Sequence, residues 1–232
     1  MTRACRSVVA VCAVASLLVA GVGVSPASAK TINGCVIKAK TECKNAQLEG
    51  AKLNKANLKG AKLQNAQLSK AKLKGANLKG ANLKDADLTR ANLTKANLTK
   101  ANLSANLTRA NLTRANLTKA RLSEAGLEGA NLTKANLSGA NLSGADLTKA
   151  NLTGANLTGA DLTKANLTNT NLTNANLTNA NLSGAALINT DLSGANLSGV
   201  NLSGADLDLA NLTGVSLTGV NLTGVIWSNT TC

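Results

Sequence analysis

The chain has 232 residues, with no His, Phe or Tyr and a single Trp, and its 25 Lys and Arg outweigh 11 Asp and Glu for a net charge of +14. That composition excludes imidazole acid–base catalysis, histidine metal ligation and a core built on aromatic rings. The acids are dispersed and no nucleophile sits beside a base, so no enzyme activity, cofactor or metal site is expected.

Residues 1–29 read as a signal peptide. Arg3 and Arg6 precede a short apolar run from Val8 to Ala20, and Ala27-Ser28-Ala29 has the small-x-small form of a processing site, which makes Lys30 the mature N-terminus. The run is too short for a retained membrane anchor, and Cys12, following Val11, comes too early for lipid attachment. Cleavage after Ala29 predicts a secreted or cell-surface protein in an oxidising compartment.

Residues 30–45 form a short non-repeat segment in which Cys35 and Cys43 flank Val36 to Glu42. Two cysteines so placed serve either metal or redox chemistry, or a disulfide that closes a cap. With no His in the chain and no third ligand nearby, the expectation is a Cys35–Cys43 disulfide over an end that would otherwise expose apolar core and unpaired backbone.

From Ala46 to Trp227 one phrase, Ala-(Asn/Asp)-Leu-(Thr/Ser)-x, recurs 37 times. A period of five is neither the 3.6 of a helix nor the two of a strand. Leu holds the centre of 36 units and Trp227 holds it in the last, while the residue two before is always small: Ala in 31 units, otherwise Thr170, Thr190, Val200, Val215, Val220 or Val225. If each unit forms one side of a square coil, Leu and the small residue face inward and the other three face water. Thr170 precedes Thr190 by 20 residues, as Val200 precedes Val220, so like inward residues stack when four units make one coil.

This phrase resembles that of the pentapeptide-repeat family, in its secreted bacterial type, over roughly four-fifths of the chain. The resemblance implies an all-β fold, a right-handed quadrilateral β-helix with four units per coil. About nine coils at about 4.8 Å spacing give a rod on the order of 45 Å long. The family's best-known members are acidic cytoplasmic rods that imitate DNA and shield type II topoisomerases. A net charge of +14 and an export signal oppose carrying that function over.

The fifth position of the unit is Gly in 16 cases and Asn in six, the residues suited to the positive φ of a type II turn. Eleven units carry Lys or Arg there, which predicts a different turn at those corners. One unit, Ala101 to Ser104, lacks its fifth residue, read as a tighter corner absorbed locally.

Charge is distributed unevenly: Lys30 to Arg121 holds 20 bases against four acids, a net of +16, and Leu122 to Cys232 holds three against seven, a net of −4. With four units per coil, Lys70, Arg90 and Arg109 stack on one edge and Lys95, Arg114 and Lys134 on the next. Lys55 and Lys149 extend these columns after gaps, and the remaining corner offers Asn65, Asp85, Glu124 and Lys164. These basic edges serve either solubility or docking of an anionic partner: an envelope polysaccharide, a teichoic-acid-like chain, extracellular nucleic acid or another protein. Without Phe or Tyr there is no base-stacking platform, so nucleic-acid binding would be phosphate-led and not sequence-specific.

A competing array is the column Thr94, Thr113, Thr133, Thr153, Thr173, Ser193 and Thr213, whose even spacing resembles an ice-binding surface. The same residue types fill the other faces, so the array is first the repeat's default. A purely structural rod remains the plainest alternative.

At the C-terminal end the inward slots become Val215, Val220, Val225 and Trp227, and residues 228–232 form a tail. Trp227 either plugs the core or meets a second copy. Cys232 is a third mature cysteine, which predicts intermolecular pairing or a free thiol.

Overall fold

Each unit is one short extended bridge and one turn, and where the second residue is Asn or Asp its side chain braces the turn. In Ala150-Asn151-Leu152-Thr153-Gly154, the Thr153 backbone N–H donates to Asn151 Oδ1 at 3.0 Å and the Thr153 hydroxyl to the same oxygen at 2.7 Å. Ala155 N–H then donates to the Leu152 carbonyl at 2.9 Å across Gly154, whose φ is +63°. An Asn or Asp at the second position is therefore the side-chain acceptor that sets up the corner.

The extended piece is too short to pair with its neighbour in sequence, so it pairs in parallel with units one coil away. Asn151 bridges Asn131 on one side and Asn171 on the other. The bonds are short and regular: Leu152 N–H to Asn171 O is 2.7 Å and Asn151 N–H to Ala130 O is 2.9 Å. Four units bring the chain back over itself, as the stacking of Thr170 on Thr190 implies. The computed structural model describes residues 30–231; residues 1–29, the expected signal peptide, and Cys232 lie outside the described residues.

The Leu slots form the axis of the coil, none from Leu48 to Leu212 being more than 2% exposed. Thr170 and Thr190 are each 1% exposed, and their hydroxyls donate to the Leu147 and Leu167 carbonyls at 2.7 Å. That bond removes the penalty of burying a hydroxyl, so Thr is accepted in a slot otherwise held by Ala or Val.

The corners correct one sequence expectation. Lys55, Lys70, Arg90, Lys95, Lys100, Arg109, Arg114, Lys119, Lys134, Lys149 and Lys164 all have φ between +55° and +58°, the same left-handed turn that Gly and Asn adopt elsewhere. A side chain in that region costs about 1 kcal/mol or more. The corner keeps it because the turn secures two backbone bonds: Lys95 N–H to Thr113 O at 3.0 Å and Ala96 N–H to Leu93 O at 2.9 Å.

The missing residue is absorbed within one coil. Bridges shorten to 19 residues at Asp87↔Asn106 and Asn102↔Arg121, then return to 20 at Asn106↔Gly126. No left-handed residue lies between Lys100 and Arg109. The retracted corner leaves a surface depression of about 580 Å³ lined by Asp85, Ser104, Arg121 and Glu124 among others.

At the N-terminal end β1, Thr31–Ile32, pairs antiparallel with β2, Cys35–Val36, across a turn with Asn33 and Gly34 at φ +46° and +77°. Cys35 and Cys43 are joined by a disulfide, and the Asn33 amide donates to the Gln47 carbonyl at 2.7 Å. The repeat geometry begins one unit ahead of Ala46: Thr41 and Cys43 fill the small and Leu slots, 5% and 7% exposed, and Glu42 bridges Lys62. Replacing both Cys35 and Cys43 by Ser is expected to lower stability by about 2 to 3 kcal/mol, read by thermal melting with and without reductant.

The ladder continues past Trp227, with Asp206↔Ile226 and Asn211↔Thr231 as its last bridges. The Thr230 hydroxyl donates to the Leu207 carbonyl at 2.8 Å, the same bond that Thr170 makes. Above it the core opens: Val215, Leu217, Val220, Leu222 and Val225 are only partly buried.

Asp191 replaces Asn in one unit and gathers donors from three sides. The Ser193 hydroxyl at 2.7 Å and Ser193 N–H at 3.0 Å lead, followed by the Thr173 hydroxyl and the Asn211 amide. Together they hold its carboxyl below the usual carboxylate value. A carboxyl depressed in the folded state stabilises above its ordinary pKa and loses that contribution as pH falls through the folded value. The melting advantage of the native protein over Asp191→Asn at about pH 7 is therefore expected to shrink below about pH 4.

Candidate functional site

The four-unit coil stacks the corners into columns. Lys70, Arg90 and Arg109 occupy one column and Lys95, Arg114 and Lys134 the next, with Lys55 and Lys149 beyond single-glycine gaps at Gly75 and Gly129. All eight are exposed. The stems of several lie over the turn of the next coil: a Cβ on Gly75 would meet Lys55 Cγ at 3.7 Å, and one on Gly129 would meet Arg109 Cγ at 3.4 Å.

Ion pairing separates these residues. Among the described residues the salt bridges are Lys62–Glu42, Lys70–Glu49 at 3.1 Å and Lys84–Asp85 at 4.0 Å. Lys70 is thus partly neutralised. Arg90, Lys95, Arg109 and Arg114 have no acidic partner among the described residues.

Sequence reasoning missed a third basic column, Lys100 and Lys119, because only the longer runs were aligned. With it, two consecutive coils carry cations at three of their four corners: Arg90, Lys95 and Lys100, then Arg109, Arg114 and Lys119. The fourth corner is the retracted one at Ser104, flanked in its column by Asp85 and Glu124. No Asp or Glu occurs between Asp87 and Glu124. The result is a basic collar in the N-terminal half of the described coils, whose fixed spacing keeps like charges about 5 Å apart along each column.

The Thr column behaves differently from a free hydroxyl lattice. Thr133, Thr153, Ser193 and Thr213 donate their hydroxyls to Asn131, Asn151, Asp191 and Asn211 of their own units at 2.7 Å. Thr173 donates to Asp191 at 3.1 Å. Those hydroxyls are committed to holding turns. Thr94 and Thr113 accept only the backbone role, through N–H bonds to Asn92 and Asn111.

At the C-terminal end Trp227 occupies the last inward slot but remains 39% exposed, beside Ile226 at 50%. Leu209, at a left-handed corner one coil earlier, is 51% exposed. Nothing in the sequence pattern singled it out beyond its departure from Gly or Asn.

Among the described residues no three His, Cys, Asp or Glu are placed to hold a metal ion, and no helix is long and apolar enough to cross a membrane. Parallel bridges one coil apart, a leucine axis and charged turns define a β-solenoid of five-residue units. The family model described as pentapeptide repeats matches in eight copies over residues 41–80, 66–104, 105–144, 125–164, 155–194 and 190–229. The chain belongs to the pentapeptide-repeat family.

Among solved structures, the chain is similar to HetL, a pentapeptide repeat protein involved in heterocyst differentiation regulation from the cyanobacterium Nostoc sp. strain PCC 7120. The two are 36% identical over 83% of this chain and 85% of that one, with a TM-score of 0.57. It is also similar to Rfr23 from the cyanobacterium Cyanothece 51142, 43% identical over 41% of this chain and 63% of that one, TM-score 0.32. QnrB1, a plasmid-mediated fluoroquinolone resistance protein, is 22% identical over 73% of this chain and 89% of that one, TM-score 0.38. No curated protein matches.

Proposed function

We propose that the protein is an exported, non-enzymatic rod, a right-handed quadrilateral β-helix of about nine coils, that docks a linear anionic polymer of the cell envelope through its basic collar. The observation that carries this reading is the placement of six cations without an acidic partner among the described residues, Arg90, Lys95, Lys100, Arg109, Arg114 and Lys119, at left-handed corners of two consecutive coils. Net charge for solubility is met without strain at the outward positions of each unit, where Lys59, Lys74 and Lys79 already stand. A Lys or Arg at a corner costs backbone energy that Gly avoids, so the collar is disfavoured unless its charge is used.

Export after Ala29 places the rod where such polymers are found. The test is co-sedimentation of the mature protein with cell-wall polymer: binding that is lost as salt rises supports docking, and a protein that stays in the supernatant at low salt refutes it.

The exposed Leu209, Ile226 and Trp227 support a second interaction, a homodimer through the C-terminal end. Trp227→Ala is expected to shift sedimentation from dimer toward monomer. Cys232→Ser would leave the sedimentation unchanged if packing dominates, and non-reducing gels report whether that thiol adds a covalent link.

A further inference from the structure

All four arginines downstream of the leader fall between Arg90 and Arg121, with Arg90, Arg109 and Arg114 at collar corners, whereas lysines run from Lys30 to Lys164. Three of them bound one side of the coil. The unit Asn92-Leu93-Thr94 runs from corner Arg90 to corner Lys95, and the unit Asn111-Leu112-Thr113 runs from corner Arg109 to corner Arg114. The two units are hydrogen-bonded neighbours, Asn111 N–H to Ala91 O at 2.9 Å and Leu93 N–H to Asn111 O at 2.7 Å. Four cations thus stand at the corners of a rectangle one unit wide and one coil high.

The floor of that rectangle is donor-rich. Asn92 and Asn111 spend their Oδ1 atoms on the Thr94 and Thr113 backbone N–H groups at 3.1 and 3.0 Å, which turns the choice of amide orientation: Nδ2 is left to donate. Among the described residues neither Nδ2 finds an acceptor, and the Thr94 and Thr113 hydroxyls make none of the bonds that commit those of Thr133 and Thr153. No Asp or Glu occurs in the chain between Asp87 and Glu124, and Glu128, whose carbonyl accepts from Arg109 N–H at 2.8 Å, makes no salt bridge to that arginine among the described residues.

We propose that this side, framed by Arg90, Lys95, Arg109 and Arg114 over Asn92, Thr94, Asn111 and Thr113, is a subsite for the phosphate groups of a linear phosphate-linked polymer. The inference rests on the collar's polyanion reading and names its ligand class. A guanidinium fork meets an oxyanion in two parallel bonds from the edge. Amide and hydroxyl donors meet it from the floor, a second direction that suits a tetrahedral phosphate better than a planar carboxylate already saturated by one fork. The chain has no Phe or Tyr to stack on bases, so the occupant is a phosphate chain without nucleobases rather than a nucleic acid.

The test compares linear polyphosphate with poly-L-glutamate and oligodeoxythymidylate of matched charge, using the mature protein and the charge-preserving variant Arg90→Lys/Arg109→Lys/Arg114→Lys. The native protein is expected to bind polyphosphate roughly tenfold more tightly than polyglutamate, and the variant, with its melting retained, to lose more affinity for polyphosphate than for polyglutamate, narrowing that gap to about twofold. Equal native affinity for the two polymers, or a preference that survives the lysine substitutions, overturns the phosphate subsite while leaving the collar standing. Binding of neither polymer overturns the collar and the subsite together, and tighter binding of the oligonucleotide than of polyphosphate overturns the choice of occupant.

Discussion

Replacing Leu142 by lysine is expected to abolish the cooperative melt of the central coils. Leu142 is fully buried, and its N–H is held by Asp161 O at 2.6 Å in the middle of the ladder. An ammonium at that point has no acid within the leucine axis to pair with, so the chain must either leave it charged in an apolar medium or open the coil to admit water. The cost is about 4 to 5 kcal/mol or more, the range in which single changes become diagnostic. Because each coil contacts only its neighbours, the damage spreads to the coils above and below and splits the array into two shorter, weaker stacks.

Two companions calibrate the result. Leu142→Ala leaves a cavity and should cost about 3 kcal/mol. Gly144→Lys, two residues on at a corner of φ +64°, should cost only about 1 kcal/mol, because its new Cβ meets Glu124 Cγ at an ordinary 3.6 Å and other corners already carry Lys. Melting of all three by circular dichroism checks the order, and an unchanged melt in Leu142→Lys contradicts the inward placement of leucine.

The second large effect runs in opposite directions for stability and binding. Substituting Gly at all six collar corners, Arg90, Lys95, Lys100, Arg109, Arg114 and Lys119, removes left-handed strain of about 1 kcal/mol per site. The added freedom of six glycines in the unfolded chain returns part of it, about 0.4 to 1 kcal/mol each. A net gain on the order of 1 to 3 kcal/mol is expected, helped by the loss of like-charge repulsion within the columns. Polymer binding, by contrast, should fall by two orders of magnitude or so, since the collar loses six of the contacts that neutralise the ligand. A more stable protein that no longer binds is the signature of residues kept for function. A destabilised variant, or one that binds as before, would place the corner cations in a structural role instead.

Much of this architecture can be read from the chain because the repeat leaves few alternatives. A leucine every five residues fits no helix or flat sheet; the family resemblance implies a coil of 20 residues, and the pairs Thr170/Thr190 and Val200/Val220 are consistent with it through the volumes that must stack. The basic corners were harder. Turn preferences assign positive φ to Gly and Asn, so Lys and Arg at the fifth position point to another turn. In the coil the two backbone bonds at each corner outweigh the preference, as at Lys95.

The buried Thr hydroxyls show the same limit: their partners are the Leu147 and Leu167 carbonyls 23 residues earlier, a relation that no local pattern reveals. The unit at Thr41 was hidden because Cys43 takes the place of Leu. The third basic column, Lys100 and Lys119, was within reach of the sequence once the missing residue after Ser104 is allowed for. The pairing of Lys70 with Glu49 and the exposure of Leu209 required three-dimensional neighbours.

The salt dependence of polymer binding tests the collar most directly. For the native protein, the logarithm of affinity for a phosphate-linked polymer should fall linearly with the logarithm of salt concentration, with a slope set by the number of anionic groups neutralised, about 0.7 to 0.9 per contact. The six-corner glycine variant should lose most of that slope. A native protein whose binding ignores salt, or a variant with the native slope, would contradict a function carried by these corners.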